Sequence, residues 1–290
     1  MSFQIFLQTI INGLFTGGIY ALVAIGLTLI YGVMVIMNFA HGEFLMLGMY
    51  VSYWAFTLFG IDPYVSVPLS AILVFGVGAL IQAGLVQRVL SSHPLNQIVL
   101  MLGVSTLIIG LVQFFWTAEP RAIHVSYETS VLAFAGLRFP IPRLIAFLSA
   151  LAIAVVLFFF LQYTKTGKAI RAVSQNRVAS ALMGINVNFI YLLTFGIGAA
   201  VTAVGGTLLV PTYKMTPSIG QDFSVIAFVV VVLGTMGNFI GAFFGGLIIG
   251  VVEAFAGYIL GGDLKILASM LVFILILLFK PAGLFGRRAS

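Results

Sequence analysis

The segment MNFAHGEFLMLGMY, Met37–Tyr50, sets a histidine and a glutamate between two apolar runs. Upstream, the apolar stretch from Phe3 to Met37 is longer than one bilayer crossing needs at about 1.5 Å per helical residue. It is broken by Asn12-Gly13 and Gly17-Gly18, so it reads either as one long tilted helix or as a short helix followed by a full one. Downstream, Phe39 to Phe59 is long enough for a further crossing. If Asn38 caps a helix that begins at Phe39, Glu43 lies about one and a half turns in, sharing a face with Ala40, Leu47 and Tyr50. A charge at mid-bilayer costs at least about 2.5–3.5 kcal/mol on insertion scales, so such a residue faces a bundle interior or an aqueous cavity. The reading of this segment as a break inside a membrane bundle decides the architecture.

The rest of the chain agrees with it. Of 290 residues, 62% are hydrophobic and 7% charged, against about one quarter charged in a soluble domain. Apolar runs of helical length recur, whereas the short alternating segments of a barrel are missing. Helices satisfy their own backbone in lipid. The spans expected after Phe59 are Tyr64–Val86, Ile98–Trp116, Ile141–Gln162, Phe189–Val210, two within Phe223–Leu260, and Ile266–Phe279. A polar segment, Thr117–Arg138, interrupts them. The first apolar segment has neither a basic leader nor a small-residue cleavage site, and is expected to stay in the protein.

The net charge of +6 does not call for nucleic acid, because lysine and arginine gather in a few loops. The loop Tyr163–Asn188 holds Lys165, Lys168, Arg171 and Arg177 and no acid, and the tail holds Lys280, Arg287 and Arg288. Both are expected to be cytoplasmic, which puts Thr117–Arg138, Asp222 and Asp263 outside. The N-terminus is outside with nine crossings and inside if Phe3–Thr16 makes a tenth. Gly237, Gly241 and Gly245 share one helical face, as do Gly246 and Gly250, a spacing that lets helices approach closely.

Two readings of Asn38, His41, Glu43 and Glu253 compete. In one they hydrogen-bond neighbouring helices and hold a helix break together; in the other they line a substrate or ion path. A metal centre is not expected: there is no cysteine, and the other histidines, His93 and His124, fall in loops on opposite sides. Neither GxSxG nor the phosphate loop GxxxxGK[ST] occurs, so enzyme chemistry is not expected, and ATP-powered transport would need its ATPase on another polypeptide.

From Lys168 to Met183 the cytoplasmic loop has helical spacing, with Ile170, Val173, Val178, Ala181 and Leu182 apolar, and Gly184 ends the pattern. Such a helix either rests on lipid headgroups or docks into a partner.

Four blocks carry a resemblance. GKAIRA to NRVASALMGIN, from Gly167, is similar to the coupling loop of an ABC-importer permease of the branched-chain amino acid class. NFAHGEFLMLGMY (Asn38–Tyr50), VVLGTMGNFIGAFFGGLIIGVVEAF (Val231–Phe255) and KPAGLFGRR (Lys280–Arg288) resemble further blocks of that family, in its order. Two departures stand out: Gly234-Thr235 where the family commonly has two glycines, and Asn176-Arg177 where an acid is common. The resemblance implies an all-α polytopic bundle of about eight to ten spans, forming a single transmembrane permease domain over residues 1–290 in a bacterial-type inner membrane. It implies a coupling loop at about 163–189 and a cytoplasmic tail at about 280–290. Gly167, Lys168, Arg171, Asn176, Arg177, Ala179 and Gly184 would belong to the ATPase-coupling loop. Partners would be a second related permease, two ATPases that use ATP and Mg, and an external substrate-binding protein; this chain would bind no cofactor itself. The substrate class would be branched-chain or other neutral amino acids, or small amides such as urea. The alternative is a proton-coupled secondary transporter using Glu43 or Glu253.

Overall fold

The computed structural model describes residues 2–134, 136–280 and 283–286, with the side chains of Asp263 and Ile266 left aside. Arg287 and Arg288, expected in the tail, lie outside the described residues. Phe3–Met34 forms one unbroken helix, α1, of 32 residues or about 48 Å, which settles the reading left open by its paired glycines. The chain then continues as α2 (His41–Phe59), α3 (Val67–Val89, with a π turn at Gln82–Val86), α4 (Pro94–Trp116) and the hairpin β1 (Val131–Phe134) and β2 (Leu137–Pro140). After it come α5 (Ile141–Tyr163), α6 (Lys165–Gln175), α7 (Arg177–Leu182), α8 (Val187–Leu209), α9 (Ile219–Leu233), α10 (Phe239–Leu260) and α11 (Lys265–Phe279). Six of these, α1, α3, α4, α5, α8 and α10, are long and apolar enough to cross a membrane, and α9 and most of α11 are shorter apolar helices.

The α1 helix is buried over most of its length, and glycines set its closest contact. On α1, Gly13, Gly17 and Ala21 meet Gly246, Gly250 and Val251 of the antiparallel α10. A Cβ on Gly13 would lie 2.6 Å from the Val251 Cα, and one on Gly17 would lie 2.8 Å from the Leu247 Cα. Dispersion and backbone proximity hold such an interface in lipid, where no hydrophobic drive operates. Gly241 and Gly245 face α9 instead. The i, i+4, i+8 spacing puts Gly237 on one helix face with Gly241 and Gly245, but it lies outside that helix, in the preceding turn with φ +82°.

Two faces of the bundle are defined by long-range bonds. At one, the Gln8 amide donates to the Arg138 carbonyl at 2.8 Å and its oxygen accepts from Arg138 N at 2.8 Å, fixing the N-terminus beside the hairpin. The hairpin is an addition to the all-helical expectation. At the other face, Gln87 donates to Asn188 at 2.8 Å and Leu284 N donates to the Leu233 carbonyl at 2.8 Å. These bonds place the N-terminus on the hairpin face and the segment that follows α11 on the opposite one.

Candidate functional site

At the end of α1, Val35 adopts a left-handed conformation (φ 56°) and turns the chain back into the bundle. Residues 35–40 are not helical, and an extended segment of that length covers about 20 Å. That matches the return from Met34 to the level of Val23, about 16 Å along α1. There His41 Nε2 donates to the Val23 carbonyl at 2.9 Å, with Thr202 Oγ1 of α8 at 2.8 Å. The carbonyl can only accept, so the proton belongs on Nε2.

The helix begins at His41, two residues later than the capping pattern predicts. Asn38 does not cap it: its side-chain oxygen accepts from Ala40 N at 3.0 Å and stabilises the turn before it. Glu43 is consequently in the first turn of α2, not one and a half turns in. Asn38, His41 and Glu43 are all 0% exposed.

The partner of this break was not apparent in the sequence. The start of α9 packs against the start of α2, and the two helices meet N-terminus to N-terminus. Gly42 packs on the Gly220 carbonyl, and Gly42 N donates to Ser224 Oγ at 2.8 Å. Glu43 lies over Gly220, where a Cβ would collide with its carboxylate. One Glu43 oxygen accepts from Ser105 Oγ of α4 at 2.9 Å. The other, together with His41 Nδ1 and Asn38 Nδ2, has no hydrogen-bond partner among the described residues. Each helix N-terminus carries roughly half a positive charge, so a carboxylate at the junction of two of them is favourably placed. Each of the three side chains reaches a different neighbour, and together they hold the break in register. Ser105, Thr202, Gly220 and Ser224 complete the site; small polar residues inside apolar helices were the available signal.

Glu253 lies apart from this junction, on α10 toward the hairpin face. Its carboxylate accepts from the Tyr20 hydroxyl at 2.7 Å and from Ser269 at 3.0 Å. No group of three or more metal-binding side chains occurs among the described residues.

The segment expected to be one amphipathic helix is two. Asn176 is extended (φ −155°, ψ 103°), ends α6, and caps α7 by accepting from Val178 N and Ala179 N, both at 3.0 Å. Ile170 and Val173 of α6 are buried on the bundle. Gly167 fits where a Cβ would strike the Phe160 and Leu161 carbonyls, and Arg171 donates to the Gln162 side chain at 2.8 Å and to its carbonyl at 3.1 Å. Lys168, Arg177 and Ala179 are exposed. Gly184 closes α7 with φ +82°. Val178 (63% exposed) and Leu182 (84%) of α7, and Met183 (83%) just after it, face outward.

The chain matches the family described as branched-chain amino acid transport system / permease component over residues 9–279. It is 34% identical over 308 residues to the high-affinity branched-chain amino acid transport system permease protein LivH of Salmonella typhimurium, covering 98% of this chain and 97% of that one. It is 32% identical over 295 residues to the corresponding permease BraD of Pseudomonas aeruginosa, covering 97% and 96%. A probable branched-chain amino acid transport permease of Methanocaldococcus jannaschii is 29% identical over 289 residues, covering 91% and 88%. With a family match spanning the broken segment before α2, the helices α6 and α7 and the glycine-paired α10, this chain belongs to the permease components of branched-chain amino acid transport systems.

Proposed function

We propose that this chain is one permease subunit of an ATP-driven importer for branched-chain or other neutral amino acids. It would pair with a second related permease, carry two ATPases on its basic face, and receive substrate from an external binding protein. The basic face carries Arg88, Lys165, Lys168, Arg171, Arg177 and Lys280 and no Asp or Glu, so positive-inside bias makes it cytoplasmic. The N-terminus and hairpin would then be external, in a bacterial-type inner membrane.

The observation that carries the reading is α7. Between Asn176 and Gly184, α7 buries Ser180, while Val178, Leu182 and the following Met183 stand exposed with nothing over them in this chain. A helix bound to headgroups would bury that face in lipid; a coupling helix would bury it in an ATPase. ATP and Mg would be bound by that partner. Asn38, His41 and Glu43 would hold the broken pass beside the pathway.

Gly184→Asp tests the coupling role. A side chain at Gly184 meets nothing within 4 Å, so the change acts through the left-handed backbone and the new charge. The variant is expected in the membrane at wild-type amount, without ATPase attached and without uptake. Normal uptake would remove α7 from the coupling role.

A further inference from the structure

A cavity of about 300 Å³ opens toward the hairpin face between α1, the start of α5, α10 and α11. Its charged lining residues are Glu253, Arg143 and Lys265, with Asn12 and Thr16 of α1 beside them. Glu253 is 4% exposed, and hydroxyls alone bond it. Neither Arg143 nor Lys265 comes within ion-pair distance of it: the salt bridge found among the described residues is His124–Glu128. A buried carboxylate with no cation in contact is costly in a membrane bundle. Here two cations and one carboxylate line one space and are kept apart by it. The room exists because α10 offers Gly250, Ala254 and Gly257 to the cavity.

Opposite charges separated by an open gap are the complement of a ligand that carries both signs. We propose that this cavity binds the zwitterionic head of an amino acid on its way through the permease, with Glu253 taking the ammonium and Arg143 and Lys265 the carboxylate. Arg143 also lines a narrow crevice with Phe15, Ile19 and Phe223, which puts an apolar wall next to the charged one. Uncharged amides lack the groups that such a site recognises, so the site selects amino acids over urea. The assignment rests on the reading of this chain as an amino acid permease.

The test uses the purified complex of this chain with its partner subunits in lipid nanodiscs, with radiolabelled leucine as probe and no binding protein present. The wild-type complex is expected to bind leucine saturably. Arg143→Gln is expected to weaken leucine by at least about tenfold while leaving leucinamide, which lacks the carboxylate, unchanged. Glu253→Gln should weaken leucine and spare isocaproate, which lacks the ammonium. Gly257→Leu should block all three ligands; a Cβ there approaches only Lys265 Cβ, at 4.0 Å, so the substitution fills the cavity without disturbing the helices. Unchanged leucine binding in Arg143→Gln and Gly257→Leu would overturn the site. So would a loss confined to affinity for the binding protein, which would assign the cations to protein docking. In proteoliposomes with binding protein and ATP, wild-type leucine uptake that survives both variants rejects the site and leaves the permease reading standing; wild-type uptake of no amino acid rejects both.

Discussion

Glycines bring backbones together at two places in this bundle, with different consequences. Between α1 and α10, Gly13 and Gly17 meet Gly246 and Gly250 along full-length antiparallel helices. The contact is mostly backbone and alkyl, and packing accounts for it. Between α2 and α9, Gly42 meets Gly220 where both helices begin, and a buried carboxylate, an imidazole and an amide lie within a few residues. The same device serves as a rigid seam in one region and as a seat for charge in the other. In the first, the helix dipoles end outside the contact; in the second, two positive ends are brought to Glu43.

Both contacts are sensitive to volume, since a Cβ on Gly42 would strike the Gly220 carbonyl as surely as one in the seam strikes backbone. A Cβ on Gly250 would strike the Gly13 carbonyl and the Gly17 backbone, neither of which can rotate away. Gly250→Val is expected to abolish the monodisperse folded peak in size-exclusion chromatography, since overpacking of at least about 1–3 kcal/mol falls on backbone. Gly103→Val, where a Cβ meets nothing within 4 Å, should elute as wild type. The junction should in addition be sensitive to charge. Glu43→Gln keeps the shape, so it should yield normal protein with uptake reduced by about tenfold or more, the range expected when a charged buried hydrogen bond is lost. Equal uptake would make the carboxylate idle and erase the contrast between the two regions. Ser105→Ala removes the hydroxyl that donates to Glu43. It should lower uptake by a few-fold, less than Glu43→Gln, because the carboxylate and both helix ends remain.

The smallest effect concerns the exit from α9. Thr235 has φ +75°, a conformation that costs an ordinary residue about 1–2 kcal/mol and suits a β-branched one poorly. A glycine would take up this backbone without that cost. Thr235→Gly should raise the thermal midpoint in detergent by a few degrees, the equivalent of about 1 kcal/mol. A lower midpoint would show that the Thr235 side chain contributes more than its backbone costs.

Much of this was legible beforehand, for identifiable reasons. Apolar run lengths fix the spans, and His41 and Glu43 betray the first break because ionisable groups are out of place there. The second break had no such marker. Phe223–Leu260 is apolar, the helix starts earlier, at Ile219, and Gly220 acquires its meaning through a contact with Gly42 far away in the chain. The hairpin at Val131–Pro140 was hidden in a short polar segment and is held by Gln8, another distant residue. The helix from Lys168 to Met183 was legible as amphipathic, but its division at Asn176 follows from a side chain that caps better than it propagates.

The most direct measurement is mild-detergent purification of the tagged chain from its native membrane, with mass spectrometry of what accompanies it and leucine uptake after reconstitution. An ATPase with a phosphate loop and a second permease are expected in stoichiometric amount, with uptake that requires ATP. A chain that purifies alone and moves leucine down a proton gradient without ATP would overturn the importer assignment.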